Sequence, residues 1–364
     1  MNSRTINLKQ EMSLNEAITF ILAVGTENSI HLEGEQGIGK TAMAEMVYEK
    51  GKATYGFKHF LFLSGPNIEL GEAGIYMPNH ESATTTFYPN ESWKIHKEEP
   101  MLIFIDEETK ASKEIQHMLH PLHNERRYGP FKLHKNTIVV TTGNYSSVGV
   151  GDVMDSHTRN RKTVVPIAKP TAEDWCIWGS TLEPRPIHEL VLAYVADTPQ
   201  AMASFRTGDQ DDNHLIFHPK RSQDGFWSGR SGHKASNIMY QKDKISRKAL
   251  EIGLVGTVGE ASGRGLLAFV DTAEDLPTFK EIIDDPLTAK VPDSPSARCI
   301  LIFSAIQKVD PSNIGKWFEY LKRAFTKEQQ TLFCMTAKDH ATAKTAMFSS
   351  KAFVEWARDN QYLF

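Results

Sequence analysis

Gly34-Glu35-Gln36-Gly37-Ile38-Gly39-Lys40-Thr41 sets glycines, a lysine and a hydroxyl in the spacing G-x-x-x-x-G-K-[ST]. Glycines let a backbone curl until successive N–H groups face one point, and a helix beginning there adds its positive end. Such a concavity suits phosphate oxygens. Lys40 would then reach the β- and γ-phosphates of ATP, with the Thr41 hydroxyl on Mg²⁺. A second group follows at Leu102-Ile103-Phe104-Ile105-Asp106-Glu107, an apolar run ending in two carboxylates. As a buried strand it would deliver both acids to the edge of a parallel sheet where α/β proteins bind ligands. Asp106 is expected to hold the Mg²⁺ shell and Glu107 to orient the attacking water.

Two further stretches gain meaning only beside these. Thr141-Thr142-Gly143-Asn144 ends another buried-type run. A lone Asn there is usually a turn residue, but next to a phosphate loop Asn144 would reach between the γ-phosphate and the water held by Glu107. Asp155-Ser156-His157-Thr158-Arg159-Asn160-Arg161-Lys162 is basic. Either Arg161 or Arg159 could serve as an arginine finger from a neighbouring subunit, spreading transition-state charge.

The elements around these groups follow from local pattern. Ser13-Leu14-Asn15-Glu16 is a capping box that opens a helix. A strand, Ser29–Glu33, leads into the Gly-rich stretch, and a helix over Ala42–Lys50 is expected to stop at Gly51. Strands are expected at Phe60–Leu63, Met101–Ile105, Thr137–Thr142 and Thr163–Ile167, with a helix at Ser112–Leu122. Alternating strands and helices predict a parallel sheet covered by helices on both faces. After Pro170 the pattern changes: Thr171-Ala172-Glu173-Asp174 caps a helix, and strand signals become scarce. The stretch 183–205 reads as helix and the polar stretch 206–237 as an exposed loop. Helices follow near 245–256, 312–325 and 339–360.

The bounds are consistent with this. The chain has 364 residues, 40% of them hydrophobic, with a net charge of -4. That excludes a surface uniformly basic for wrapping nucleic acid, though not a local patch. Three cysteines far apart, Cys176, Cys299 and Cys334, suit a reducing compartment and buried thiols. The first ten residues have no apolar segment of the signal-peptide kind, and no run suffices to span a membrane, so a cytoplasmic protein is expected.

With these residues in hand, the chain resembles the MoxR-type AAA+ ATPases, in the branch with a long helical C-terminal tail. Ser64-Gly65-Pro66 with Glu69-Leu70-Gly71, the aromatic–proline insert Phe87–Trp93, and Asn124-Glu125-Arg126-Arg127-Tyr128-Gly129 are similar to segments of that family. Asn144 falls on its sensor 1 and Arg161 on its arginine before the last core strand. Gly229-Arg230-Ser231 with Ala235–Ile238 resembles its sensor 2 segment, making Arg230 the candidate, with Arg221 in Pro219-Lys220-Arg221 as a rival. The resemblance is strong to about residue 168 and diffuse beyond. Two departures stand out: Glu108-Thr109-Lys110 replaces the family's Ile-Asn-Arg, and glycines flank Arg230 instead of Pro and Trp.

The resemblance implies an α/β AAA+ P-loop core at 1–168, a helical lid at 169–250 and a helical tail at 251–364. It implies an ATP hydrolase that forms rings, in the family's sixfold form of a homo-hexamer, and remodels a protein client, often a partner with a von Willebrand A-type domain. The rival is a motor acting on nucleic acid, similar to AAA+ restriction subunits. Its support is the segment Lys220–Lys248, where eight basic side chains face two acidic ones, a net of +6 over 29 residues. A third reading is a nucleotide-gated scaffold with vestigial hydrolysis.

Overall fold

The computed structural model describes residues 10–145, 154, 156–221 and 225–360. The N-terminal segment before residue 10, Asp155 of the basic stretch and Asp224 of the basic segment lie outside the described residues. The chain forms two compact units, Met1–Lys169 and Pro170–Phe364.

The first unit opens with α1 (Leu14–Val24), where Ser13 and Glu16 make the reciprocal capping box expected of them. β1 (Ile30–Glu33) follows, then α2 (Lys40–Tyr55) and β2 (His59–Ser64). Gly51 does not end α2; the helix runs on to Gly56, whose φ of 71° forms the left-handed cap. A Cβ at position 51 would stand 2.1 Å from the Phe57 ring, so that glycine serves close packing and not termination. After α3 (Leu70–Ala73), a hairpin of β3 (Ile75–Asn79) and β4 (Thr84–Tyr88) precedes β5 (Met101–Asp106). Next come α4 (Lys113–Asn124), the short pair β6 (Arg127–Tyr128) and β7 (Phe131–Lys132), β8 (Ile138–Gly143), α5 (Ser156–Arg159) and β9 (Thr163–Pro166).

Five of these strands form one parallel sheet in the order β2-β5-β8-β1-β9. β5 is buried along Met101–Ile105 and β8 along its whole length, which explains their unbroken apolar runs: such strands are covered on both faces. One layer of core joins Ile18, Leu32, Val47, Phe104 and Val140; the opposite layer joins Ile103, Ile105, Ile115, Leu119 and Val139. Each fully buried aliphatic side chain contributes about 1.5–3 kcal/mol, so the sheet's centre is rigid. Parallel registry carries the ends of β1, β5 and β8 to one edge, with Glu33 beside Gly143 and Ile105 beside Thr141.

The second unit is helical. It contains α6 (Ala172–Ser180), capped by Thr171 and Asp174, and α7 (Glu189–Asp197), shorter than the sequence suggests because prolines at 184, 186 and 199 bound it. The stretch 206–237 is not all loop. α8 (Gly229–Met239) begins inside it, with Ser228 and Ser231 forming a capping box. Then come α9 (Arg247–Val258), α10 (Glu260–Glu274), α11 (Phe279–Asp284), α12 (Pro295–Ile306), α13 (Ile314–Ala324), α14 (Lys327–Asp339), α15 (Ala341–Ser349) and α16 (Lys351–Asp359). One hydrophobic core draws on residues from Trp175 to Trp356, so lid segment and tail segment share it. The division at residue 250 remains a proposal from sequence. Cys176, Cys299 and Cys334 are buried free thiols, and burial pushes the Cys299 thiol up to about 12. Among the described residues no helix is long and apolar enough to cross a membrane.

Candidate functional site

β1 ends at Glu33, and the chain then turns through Gly34–Gly39 into the first turn of α2. Two glycines in this turn have positive φ, Gly37 at 74° and Gly39 at 104°, a region that side chains rarely enter. Ile38 is buried and anchors the loop against the core, while Gln36 is exposed and Glu35 half-buried. Lys40, the first residue of α2, turns back over the loop: Nζ donates to the carbonyls of Gly34 and Glu35 at 2.9 Å each and to Asn144 Oδ1 at 3.2 Å. The ammonium thus sits over a ring of backbone groups at a helix N-terminus, where a phosphate could replace the carbonyl oxygens as its partner.

β5 and β8 supply the rest. Thr142 Oγ1 donates to Asp106 Oδ1 at 2.5 Å, and Thr41 Oγ1 lies 3.5 Å from Asp106 Oδ2. A carboxylate and a hydroxyl converging in this way are hard oxygen donors of the kind Mg²⁺ selects, so the residues fit the ion that sequence assigns to Thr41 and Asp106. Glu107 follows on a residue with φ of 53°, the left-handed region, and its amide donates to Thr142 Oγ1 at 3.0 Å. Its carboxylate Oε1 accepts from Asn144 Nδ2 at 3.0 Å and from Lys110 Nζ at 2.8 Å. Partial burial works against ionisation of Glu107, but Lys110, Asn144 and the nearby Lys40 outweigh it and hold the carboxyl below its usual range.

Lys40, Thr41, Asp106, Glu107 and Asn144 therefore meet at one edge of the sheet, joined by direct hydrogen bonds. The basic stretch approaches the same unit. Arg159 pairs with Glu33 at 3.1 Å, whereas Arg161 is exposed and donates to its own helix at His157 O, 3.2 Å away. Arg230 and Arg221 belong to the second unit. Arg230 is exposed in the first turn of α8; Arg221 is half-buried and donates to Asn213 O at 2.6 Å.

Three features escaped the sequence reading. Thr142 reads in sequence as a strand end, yet it braces both Asp106 and Glu107. Lys110, noted merely as a departure, binds the Glu107 carboxylate. Glu108 is buried and bonded to His123 and Lys162; a third carboxylate, two residues beyond the end of the strand, is its one signal in the sequence.

The strand order decides the fold. With the Gly-rich loop following β1, three strands lie to one side of it and β9 to the other, in the order β2-β5-β8-β1-β9. This is a parallel α/β P-loop core, followed by a helical unit. No protein-family profile matches the chain, and no curated protein matches it by sequence. Solved structures resemble it distantly. NtrX from Brucella abortus in complex with ATP is 14% identical, covering 74% of this chain and 70% of its own, with a TM-score of 0.32. A RuvB mutant of Thermotoga maritima is 15% identical, covering 86% and 90%, with a TM-score of 0.36. PCH-2 of C. elegans is 12% identical, covering 71% and 67%, with a TM-score of 0.31. Overlaps this low bear no weight, and the P-loop core is read from the chain's own strand order and loop.

Proposed function

We propose that this chain is an ATPase of the MoxR-type AAA+ group that works as a ring, in the cytoplasm, remodelling a protein client. The observation that carries the ATPase reading is the continuous chain Lys40–Asn144–Glu107 beside the Thr41–Asp106 pair. Those are the groups needed to bind a triphosphate and to aim a water at its γ-phosphorus. Gly34–Thr41 cradle the phosphates through backbone N–H groups, and Lys40 exchanges its carbonyl partners for phosphate oxygens. Thr41 and Asp106 would hold Mg²⁺, which would supply charge neutralisation for the bound phosphates. Glu107 orients and polarises the water; Asn144 holds the Glu107 carboxylate and lies within reach of the terminal phosphate. Arg161, exposed and donating to its own turn at His157 O, is the better finger than Arg159, which is engaged by Glu33 in the same subunit. Arg230, at the start of a lid helix, is the sensor 2 candidate. A homo-hexamer and a client with a von Willebrand A-type domain follow from the resemblance.

The nucleic-acid reading finds little support in the basic segment. Lys220, Lys242 and Arg247 pair with Asp211, Asp243 and Asp271, which lowers the charge available to a phosphate backbone.

The test compares two variants for ATP binding and turnover. Lys40→Ala should lose nucleotide binding while keeping its fold. Glu107→Gln should bind ATP normally and turn it over about 10²–10⁴-fold more slowly, the range a positioned base contributes. Wild-type affinity in the first, or wild-type turnover in the second, would remove the assignment. Identifying what co-purifies with ATP-loaded Glu107→Gln then addresses the client.

A further inference from the structure

Beside the nucleotide site lies a second polar cluster that the proposed chemistry does not use. Glu108 directly follows Glu107, and its side chain is 3% exposed; those of Lys162 and His123 are 0% exposed. Lys162 Nζ donates to Glu108 Oε2, and His123 Nε2 lies 2.8 Å from Glu108 Oε1. Burial opposes the charge on Glu108, but Lys162 and His123 overcome it and keep the carboxyl well below its usual range. A buried ion pair is weak as a stabilising device, because apolar residues of equal volume often serve as well. Folding alone gives little reason for this one.

Its reason is found in what it joins. Glu108 opens the tight turn Glu108–Lys110, for which Glu107 is the preceding cap residue. Lys162 closes the turn that carries Arg161: Arg161 N donates to Thr158 O at 3.2 Å and Lys162 N to Arg159 O at 3.3 Å. α4 braces both sides, with His123 on Glu108 and His120 Nε2 at 2.9 Å from Thr158 Oγ1.

We propose that Lys162 and Glu108 are positioning residues that link Arg161 to Glu107 within one subunit. Engagement of Arg161 by the phosphate of a neighbouring site then sets the Glu107 carboxylate of its own site. The proposal rests on the roles given above to Glu107 and Arg161. A pull on the Arg161 guanidinium moves the Thr158–Lys162 turn. Lys162 cannot leave Glu108 behind, since separation would strand two charges away from water. Displacement of Glu108 must be absorbed at Glu107, whose amide is held by Thr142.

The test is the double variant Glu108→Gln/Lys162→Met, which removes both charges at nearly constant volume, measured as the full chain for kcat, KM for ATP and Tm. The expected result is a fall in kcat of about tenfold or more, the scale of a small misplacement at a reacting centre, with KM and Tm unchanged. Adding Arg161→Ala to the double variant should cost no more than Arg161→Ala alone, because coupled residues are non-additive in such a cycle. Wild-type kcat, additive losses, or a fall in kcat that comes with raised KM and lowered Tm each overturn the link. If the double variant does not fold, Lys162→Arg keeps the pair but crowds the turn, and its kcat should fall at constant KM; an unchanged kcat overturns the link there too. Glu107→Gln and Arg161→Ala run alongside: wild-type turnover in either one removes the underlying site reading instead, whatever the double variant does.

Discussion

The side-chain amide of Asn144 donates from Nδ2 to Oε1 of Glu107 at 3.0 Å, and its Oδ1 accepts from Lys40 Nζ at 3.2 Å. One side chain therefore spans the phosphate-binding and water-orienting groups. Asn144→Ala should lower kcat about a hundredfold, the scale of losing one placed hydrogen-bond donor. ATP affinity should hardly change, since Lys40 keeps its loop contacts. Steady-state kinetics with a direct binding measurement check this; a loss confined to affinity would assign Asn144 to binding.

Arg161 is predicted to act across the subunit interface. Arg161→Ala and Glu107→Gln should each be nearly inactive alone. Mixed one to one with free exchange, up to about a quarter of interfaces join an intact Glu107 to an intact Arg161, so activity should reappear by the finger logic. The comparison is the ATPase rate of the mixture with the sum of the separate rates, exchange being verified with labelled subunits. No gain despite exchange counts against a finger in trans.

The two candidates for sensor 2 differ in their surroundings. Arg230 is exposed at a helix start, whereas Arg221 is half-buried and tied to Asn213 O. Arg230→Ala should therefore reduce turnover with little effect on Tm, and Arg221→Ala should lower Tm with less effect on turnover. The opposite order transfers the role to Arg221.

His31 supplies a pH dependence. Burial, aided by Lys162, holds its imidazole down at about 3 from an ordinary 6.5, and Nδ1 lies 2.7 Å from Thr141 Oγ1. The unfolded chain binds a proton at this site between those values while the folded one does not. Its contribution to stability is thus full above about 6.5 and is lost as pH falls toward 3. Denaturation midpoints of wild type and His31→Gln should converge on acidification through that window. A constant difference between them from neutral pH to 4 would show that His31 is not buried neutral.

The P-loop, the strand carrying Asp106 and Glu107, and Asn144 were legible because each is a local signal: a glycine spacing, or an apolar run with a polar end. The parallel sheet was legible for the same reason. What stayed hidden depends on registry between distant segments. Nothing near Thr142 in sequence says that it faces Asp106, and nothing near Lys162 says that it meets Glu108 across 54 positions. α8 was missed because Gly229 and Gly232 are poor helix formers. The helix exists since Gly232 lies against Trp175 and Trp227, where a Cβ would come within 3.0–3.2 Å of their rings. Gly51 misled in the opposite sense, a stop signal in composition that is a packing necessity in space.

The left-handed backbone at Glu107 has a further consequence. With φ of 53°, this position holds a side chain where glycine would rest without strain, a difference on the order of 1 kcal/mol. The residue that best satisfies the fold at position 107 is therefore not the one that the proposed reaction requires. Any redesign of this chain guided by thermostability alone would be drawn toward glycine there, and would return a sturdier protein with no means of aiming its water.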